Sequence, residues 1–355
     1  MRVCIIGGGL SSLTLAKALV NQNIYVDLYA AKKINILDQS RTIGISESNI
    51  EFFNAAIINL DKIAWRLKKI EIFSDNLKKE KLINFENNHK GLFSIIRNQN
   101  LFEVLKKSLF KDKYFKKINL LKNLNFINDY SLVINTDSTT SITKKYFSRK
   151  IVKEYNSYAY TTTIRHEKIN NDIAVQIFTK LGPLAFLPIS EKETSVVYSF
   201  YNKKNKNINN LIEKYNRKYK IQKIEKINSL ELKSLSLRSY YHENILAFGD
   251  LLHKIHPLAG QGFNMTIRDI KILLEIILRK QSLGLNLDSS VCHDFENKLK
   301  HKNFIFSNGI DLVHEFFNLD RKTNSSFLSK SVQLLNKNPK INKLFTKVAN
   351  RGTLI

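Results

Sequence analysis

Three consecutive glycines, Gly7, Gly8 and Gly9, stand between a short apolar run and a helix-patterned segment, and few folds accept that order. Residues 3–6 (Val-Cys-Ile-Ile) read as a buried strand. Over 10–21, Leu13, Ala16, Leu19 and Val20 recur at helical spacing, and 24–29 reads as the next strand. Strand, glycine turn, helix and strand in this order open a doubly wound α/β sheet. Gly7-Gly8-Gly9-Leu10-Ser11-Ser12 fits the G-x-G-x-x-G pattern, with Ser12 in place of the last glycine. In that pattern Gly7 permits the tight turn and Gly9 the close approach of a pyrophosphate, and the helix N-terminus offers unpaired N–H groups to it. A glycine-rich turn without a ligand is the plainer alternative. The acid expected at the end of the second strand is missing: Ala30 stands there, and Asp27 comes too early.

The chain has 355 residues, 43% of them hydrophobic, enough for one large domain or two interleaved ones. Its net charge is +26. Lys is scattered rather than gathered on one element, which argues against a nucleic-acid reader. Attraction to an anionic membrane surface and the Lys-, Asn- and Ile-rich usage of an AT-rich genome both stay open. Cys4 and Cys292 are far apart, so no disulfide framework or zinc motif is expected, and a reducing cytoplasm fits. Residues 1–9 do not read as a signal segment, and no apolar stretch is long enough to span a bilayer. Any membrane contact is therefore expected to be peripheral.

The middle of the chain changes character. Segments 159–166, 173–180, 184–187 and 194–200 are β-branched and aromatic with short polar gaps, as in an antiparallel sheet. A strand at 244–248 then ends in Gly249-Asp250, and an apolar helix is expected over 265–279. The expected organisation is a discontinuous nucleotide-binding domain (1–67, 93–150 and 235–280), a substrate sheet (68–92 and 151–234) and a C-terminal helical region (281–355).

The most specific signal is the run from Phe248 to Asp269, containing Gly249-Asp250, His256-Pro257 and Ala259-Gly260-Gln261-Gly262-Phe263-Asn264. It resembles the second FAD fingerprint of the FAD-dependent ubiquinone-biosynthesis hydroxylases, which have the para-hydroxybenzoate hydroxylase fold. Arg41-Thr42-Ile43-Gly44-Ile45-Ser46 and the helix start at Asn98 resemble further cofactor-side segments of that family. Gln176-Ile177-Phe178-Thr179 and Gly182-Pro183-Leu184-Ala185-Phe186-Leu187-Pro188 resemble its ubiquinone branch. The sequence departs from the pattern at Ser12, Ala30, Ser138 (after Asp137, where a glycine is usual) and Thr266.

The resemblance implies an α/β fold: a Rossmann-type FAD-binding domain interleaved with an antiparallel sheet, followed by helices. It implies cofactor contacts from Gly7, Gly9, Ser12, Arg41, Asn98, Asp137, Asp250, Pro257, Gly260, Gly262 and Asn264. His256 and Pro257 are the candidates at the flavin face. Asp250 would meet the ribityl hydroxyls, and the helix after Gly262 would aim its N-terminal dipole at the flavin edge that gains charge on reduction. The implied reaction is oxygen transfer from a flavin C4a-hydroperoxide to a polyprenylated phenol, with dioxygen as co-substrate. NAD(P)H or an electron-transfer protein is the candidate reductant, and a quinone-synthesis complex a candidate partner. A flavin-dependent reductase and a non-catalytic flavin-binding subunit are the alternatives on the same fold. No general base is evident; Tyr158, Tyr160 and Tyr198 lie on the expected substrate sheet. Ile177, Phe178, Leu184, Phe186 and Leu187 are candidates for an apolar tail path, or ordinary sheet core. Asp250, His253 and His256 have metal-like spacing, but Pro257 and the glycines interrupt any helix through them, so no metal is expected.

Overall fold

In the computed structural model the described residues are 1–31, 40–77, 80–86, 91–119, 125–201, 207–255, 261–323 and 330. The chain runs β1 (Arg2–Ile6), α1 (Leu10–Val20), β2 (Tyr25–Ala30), β3 (Thr42–Ser46), α2 (Glu47–Ala56), β4 (Trp65–Leu67), β5 (Lys69–Ser74), β6 (Lys81–Glu86), β7 (Phe93–Arg97), α3 (Asn98–Leu109), β8 (Phe115–Asn119) and β9 (Val133–Asn135). It continues through α4 (Ser141–Tyr146), β10 (Lys150–His166), β11 (Ile173–Thr179), β12 (Gly182–Pro188), β13 (Glu193–Tyr201), α5 (Ile208–Tyr215), β14 (Ile221–Ile224) and β15 (Asn228–Leu237). It ends with β16 (Tyr241–His242), β17 (Ile245–Ala247), β18 (His253–Lys254), α6 (Gln261–Ser282) and α7 (Ser289–Thr323).

The first sheet has the order β16-β17-β9-β1-β2-β8, parallel except for the edge pair β16–β17. Val3, Cys4, Ile5 and Ile6 are fully buried, as a central parallel strand covered on both faces requires. α1, α3 and α6 supply much of that cover, and their apolar residues join the strands in the main core. α1 ends where Asn23 takes a left-handed φ of 59°, a conformation asparagine tolerates, and the chain turns into β2. Strand order reverses between β1 and β9, so the carboxyl ends of these two strands form the crevice in which such sheets bind ligands.

The second sheet is larger: β18-β15-β10-β13-β12-β11-β5-β6, with β14 added along β10. It is antiparallel as expected, except that β11 and β5 run parallel. That exception arises because β5 comes from a segment that leaves the nucleotide-binding half early and joins the sheet's far side. One face packs on α5, burying Ile164, Ile177, Leu184, Phe186, Val196, Tyr198 and Phe200 against Ile208 and Ile212. The opposite face meets a small sheet, β3-β7-β4, which the sequence patterning did not disclose. There Ala174, Ile70 and Leu187 pack on Trp65, Leu67, Phe93 and Ile95.

α7 straps the two halves together. Its Asn303 accepts from Arg268 on α6, and its Asp311 accepts from Tyr155 on β10. Lys153 adds ion pairs to Asp311 and Glu315. Among the described residues no helix is long and apolar enough to cross a membrane.

Candidate functional site

Gly7, at the carboxyl end of β1, has φ +128°, and a Cβ there would lie 2.1 Å from Thr136 Oγ1. Only glycine fits that place. Thr136 follows β9 and donates from Oγ1 to the Ile6 carbonyl at 3.0 Å. Its proton is thereby committed, so the 2.7 Å contact with Ser12 is a bond donated by the serine. Ser12 thus takes the third glycine's position by bonding across to the end of β9. Gly9 differs: as the N-cap of α1 it has an ordinary φ of −85°, and a built Cβ meets nothing within 4 Å. The open side of the turn is therefore at Gly9, beside the first N–H groups of α1.

The two glycine motifs meet in space. Gly249, with φ +63°, approaches α1 so closely that a Cβ would lie 2.7 Å from Ser11 Cβ. Asp250 follows it and is exposed. Asp137 stands two residues past the end of β9, its Oδ1 accepting from the Thr139 N–H and hydroxyl, each at 2.7 Å. At the end of β2, Ala30 is buried and supplies no acid. Asp27 is buried as well and is occupied by the Tyr130 hydroxyl at 2.6 Å. Burial and that bond to Asp27 push the Tyr130 pKa well above its ordinary value.

Arg41 and Asn98 are brought side by side, because the Asn98 N–H donates to the Arg41 carbonyl at 3.0 Å. The Arg41 side chain is exposed, whereas Asn98 is 9% exposed and its Oδ1 is buried without a hydrogen-bond partner among the described residues. A buried amide oxygen left unpaired is costly unless a bound group supplies a donor. Asn264 is the opposite case. It donates to the Gly44 carbonyl at 2.7 Å and accepts from the Ser46 N–H at 3.0 Å and from Asn49 at 2.8 Å. Its side chain is spent on holding the first turns of α6 against β3. Gly262, in the first turn of α6, has an open Cβ direction. His256, Pro257 and Gly260 lie outside the described residues. His253 is a structural histidine, buried and bonded to Asp269, and among the described residues no three potential metal ligands converge.

Facing this region is the side of the large sheet turned away from α5. Ser40 and Thr161 share a 2.9 Å hydrogen bond, Asn228 donates to Ser40 at 3.1 Å, and Thr42 donates to Ser195 at 3.0 Å. Strand register defines the rows on this face. Thr163, Ser195 and Ala174 lie in a buried row. The next row, Asn228, Thr161, Val197, Ala185, Gln176 and Ile72, is half-buried throughout. Tyr160 and Tyr198 are not on this face. They belong to the core under α5, where Tyr198 is fully buried and bonded to Thr179. Of the proposed tail-path residues, Ile177, Leu184 and Phe186 are in that same core, and only Phe178 and Leu187 point the other way. Thr136, Asn49 and Ser195 went unnoticed in the sequence, and Asp269 was seen only as the end of a motif, because their partners are remote in the chain.

No family model matches the chain. Ubiquinone biosynthesis monooxygenase COQ6, mitochondrial, of Drosophila melanogaster is 22% identical over 432 residues, covering 98% of this chain and 89% of that protein. The 3-demethoxyubiquinol 3-hydroxylase of Escherichia coli is 26% identical over 174 residues, covering 46% of this chain and 44% of that protein. The chain is thus similar along nearly its whole length to a ubiquinone-biosynthesis hydroxylase. Its fold agrees. p-Nitrophenol 4-monooxygenase PnpA from Pseudomonas putida DLL-E4 superposes with a TM-score of 0.79 at 12% identity, covering 98% of each chain. HpxO of Klebsiella pneumoniae, solved with FAD and uric acid, gives 0.75 at 12% identity over 98% of this chain and 97% of that one.

Proposed function

We propose that the protein is an FAD-dependent monooxygenase that hydroxylates the aromatic ring of a polyprenylated phenol in ubiquinone biosynthesis. The observation that carries this reading is the junction of Ser40 with Thr161 and Thr42 with Ser195. It sets the segment beginning β3 against the half-buried face of the large sheet, with the Gly7–Gly9 turn on the same nucleotide-binding half.

The residues fit FAD. The open side of Gly9 and the N-terminus of α1 suit the pyrophosphate, with Gly7 and Ser12 holding the turn and Asp137 beside it. The unpaired Asn98 Oδ1 awaits a donor, and exposed Arg41 and Asp250 are free to orient the flavin and ribityl portions. Gly262 lets a ring system lie on the first turn of α6, and Asn264 keeps that turn in place. Pro257 and Gly260, with His256 as a candidate at the ring face, complete the proposed set. When bound, FAD supplies the activation of dioxygen and the oxygen atom transferred. The protein's own part is to bind the phenol on the sheet, orient its ring and exclude water.

The reductant is NAD(P)H or an electron-transfer protein, and titrating the bound flavin with each distinguishes them. We place the protein peripherally on the inner face of a membrane, drawn there by its positive charge, with Arg149, Lys150 and Arg238 at the contact. These line an open cleft of about 580 Å³ beside exposed Ile151 and Val152. Sedimentation with anionic but not neutral vesicles tests that placement.

The test of function is the visible spectrum of the purified protein, with the released cofactor identified by chromatography. The expected result is one FAD per chain and oxygen-dependent hydroxylation of a short-chain prenylated phenol. A protein that stays colourless when incubated with FAD removes the reading and leaves a flavin-free subunit of a quinone-synthesis complex in its place. FAD reduction without product hydroxylation favours a reductase instead.

A further inference from the structure

Gln176 stands in the half-buried row of the large sheet, between Ala185 on β12 and Ile72 on β5. Its neighbours Ile177 and Val175 point to the opposite face, into the core under α5. The row that holds it has no charged side chain: Asn228, Thr161, Val197, Ala185, Gln176 and Ile72 are all neutral. At the Asn228 end the polar groups are already engaged, since Thr161 and Asn228 both bond Ser40. The Gln176 side chain makes no hydrogen bond to any described residue, although its amide carries both a donor and an acceptor. The nearby Arg97 and Arg165 are paired with Glu193.

We propose that Gln176 recognises the hydroxyl of a neutral phenol lying over Ala185 and Val197, on a row whose lack of a cation disfavours an aromatic carboxylate. This deepens the function proposed above and rests on it. A phenol needs one group that both accepts from its O–H and donates to its oxygen, which a single amide provides. Ala185 and Val197 are small enough to leave room for a flat ring against the sheet. An aromatic carboxylate would be desolvated on the same row without a cation to meet it. Discrimination of this kind is strong because the amide is left unpaired when the ligand lacks the hydroxyl.

The chain has one tryptophan, Trp65, packed in the cluster with Ala174 and Leu187, one row from Gln176. Its fluorescence reports on occupancy without turnover. The FAD-loaded protein is titrated with a short-chain 2-prenylphenol, its methyl ether and 4-hydroxybenzoate. Wild type is expected to bind the phenol at least about ten-fold tighter than either comparator. Gln176→Leu, which keeps the volume, is expected to lose that ten-fold preference over the ether, to raise KM more than it lowers kcat, and to hold FAD as wild type does. Gln176→Asn, which keeps an amide, is expected to recover part of the preference. Ala185→Phe, filling the floor, is expected to abolish phenol binding while the flavin spectrum persists.

The proposal is overturned if wild type hydroxylates the phenol and Gln176→Leu binds and discriminates as wild type does; the assigned function then stands without it. It is also overturned if wild type prefers 4-hydroxybenzoate. A wild type that holds FAD but neither binds nor hydroxylates any phenol removes both this assignment and the function beneath it.

Discussion

His253 Nε2 lies 2.5 Å from Asp269 Oδ2, with both side chains buried, so that β18 is tied to the body of α6. Arg268 stands 3.3 Å from the other carboxylate oxygen and reaches on to Asn303 of α7. One buried carboxylate therefore joins three elements around the second glycine motif. Asp269→Ala leaves the histidine and the arginine without their acceptor and is expected to lower stability by about 3–5 kcal/mol. Urea unfolding of the variant measures it; a loss below about 1 kcal/mol would show that the pair is no more than a surface-strength contact.

Gly7 and Gly9 are predicted to behave oppositely. At Gly7 a methyl meets Thr136 Oγ1 and the φ is +128°, so Gly7→Ala should destabilise the apoprotein by about 1–3 kcal/mol. At Gly9 there is room and an ordinary φ, so Gly9→Ala should leave apoprotein stability within about 0.5 kcal/mol. The same methyl occupies the open side of the turn and should weaken FAD at least about ten-fold, about 1.4 kcal/mol. Thermal melts paired with flavin titrations separate the two effects. Unchanged FAD affinity in Gly9→Ala removes the pyrophosphate from this turn.

Asn264 is expected to act by holding backbone. Asn264→Ala strands the Gly44 carbonyl and the Ser46 N–H, both bonded to it now, at a cost of about 1–3 kcal/mol. Hydrogen exchange should quicken at Ser46 before the flavin is added. Exchange at the wild-type rate would mean that this amide does not anchor β3.

Alkaline pH should loosen the fold through Tyr240. This side chain is 2% exposed, and burial, with the charges of Asp269 and Glu296 nearby, raises its pKa to about 12. A folded-state pKa above the unfolded value of about 10 means that the stability is fully present below pH 10 and drains away as pH rises toward 12. The loss across that window is about 2 kcal/mol. Melting temperatures between pH 8 and 11 should fall less steeply for Tyr240→Phe than for wild type. Parallel slopes would exclude Tyr240 as the source.

Local pattern disclosed a good part of this. The helix expected to start at Asn98 is α3 at Asn98–Leu109, and the expected strand over 173–180 is β11 at Ile173–Thr179, because each carries its own apolar period. The helix expected over 265–279 begins earlier, at Gln261, since Gly262 in its first turn obscures its start. The small β3-β7-β4 sheet was not legible. Its strands are three to five residues long and come from separate parts of the chain, so no local period announces them.

The order of strand, glycine turn and helix fixed the nucleotide-binding half, because steric limits at Gly7 and the periodicity of α1 are properties of adjacent residues. The run through Gly249-Asp250 and Gly262-Phe263-Asn264 likewise carried the resemblance to the ubiquinone-biosynthesis hydroxylases by itself. What only the tertiary structure decided is which side chains remain available. Asp27 is taken by Tyr130, Asn264 by β3 and His253 by Asp269, whereas among the described residues Asn98 Oδ1 and the Gln176 side chain have no such partner. The same residue types could have been exchanged between those two groups without altering any local pattern. The difference lies in hydrogen bonds between residues far apart in the chain, and only packing the sheets and helices together determines them.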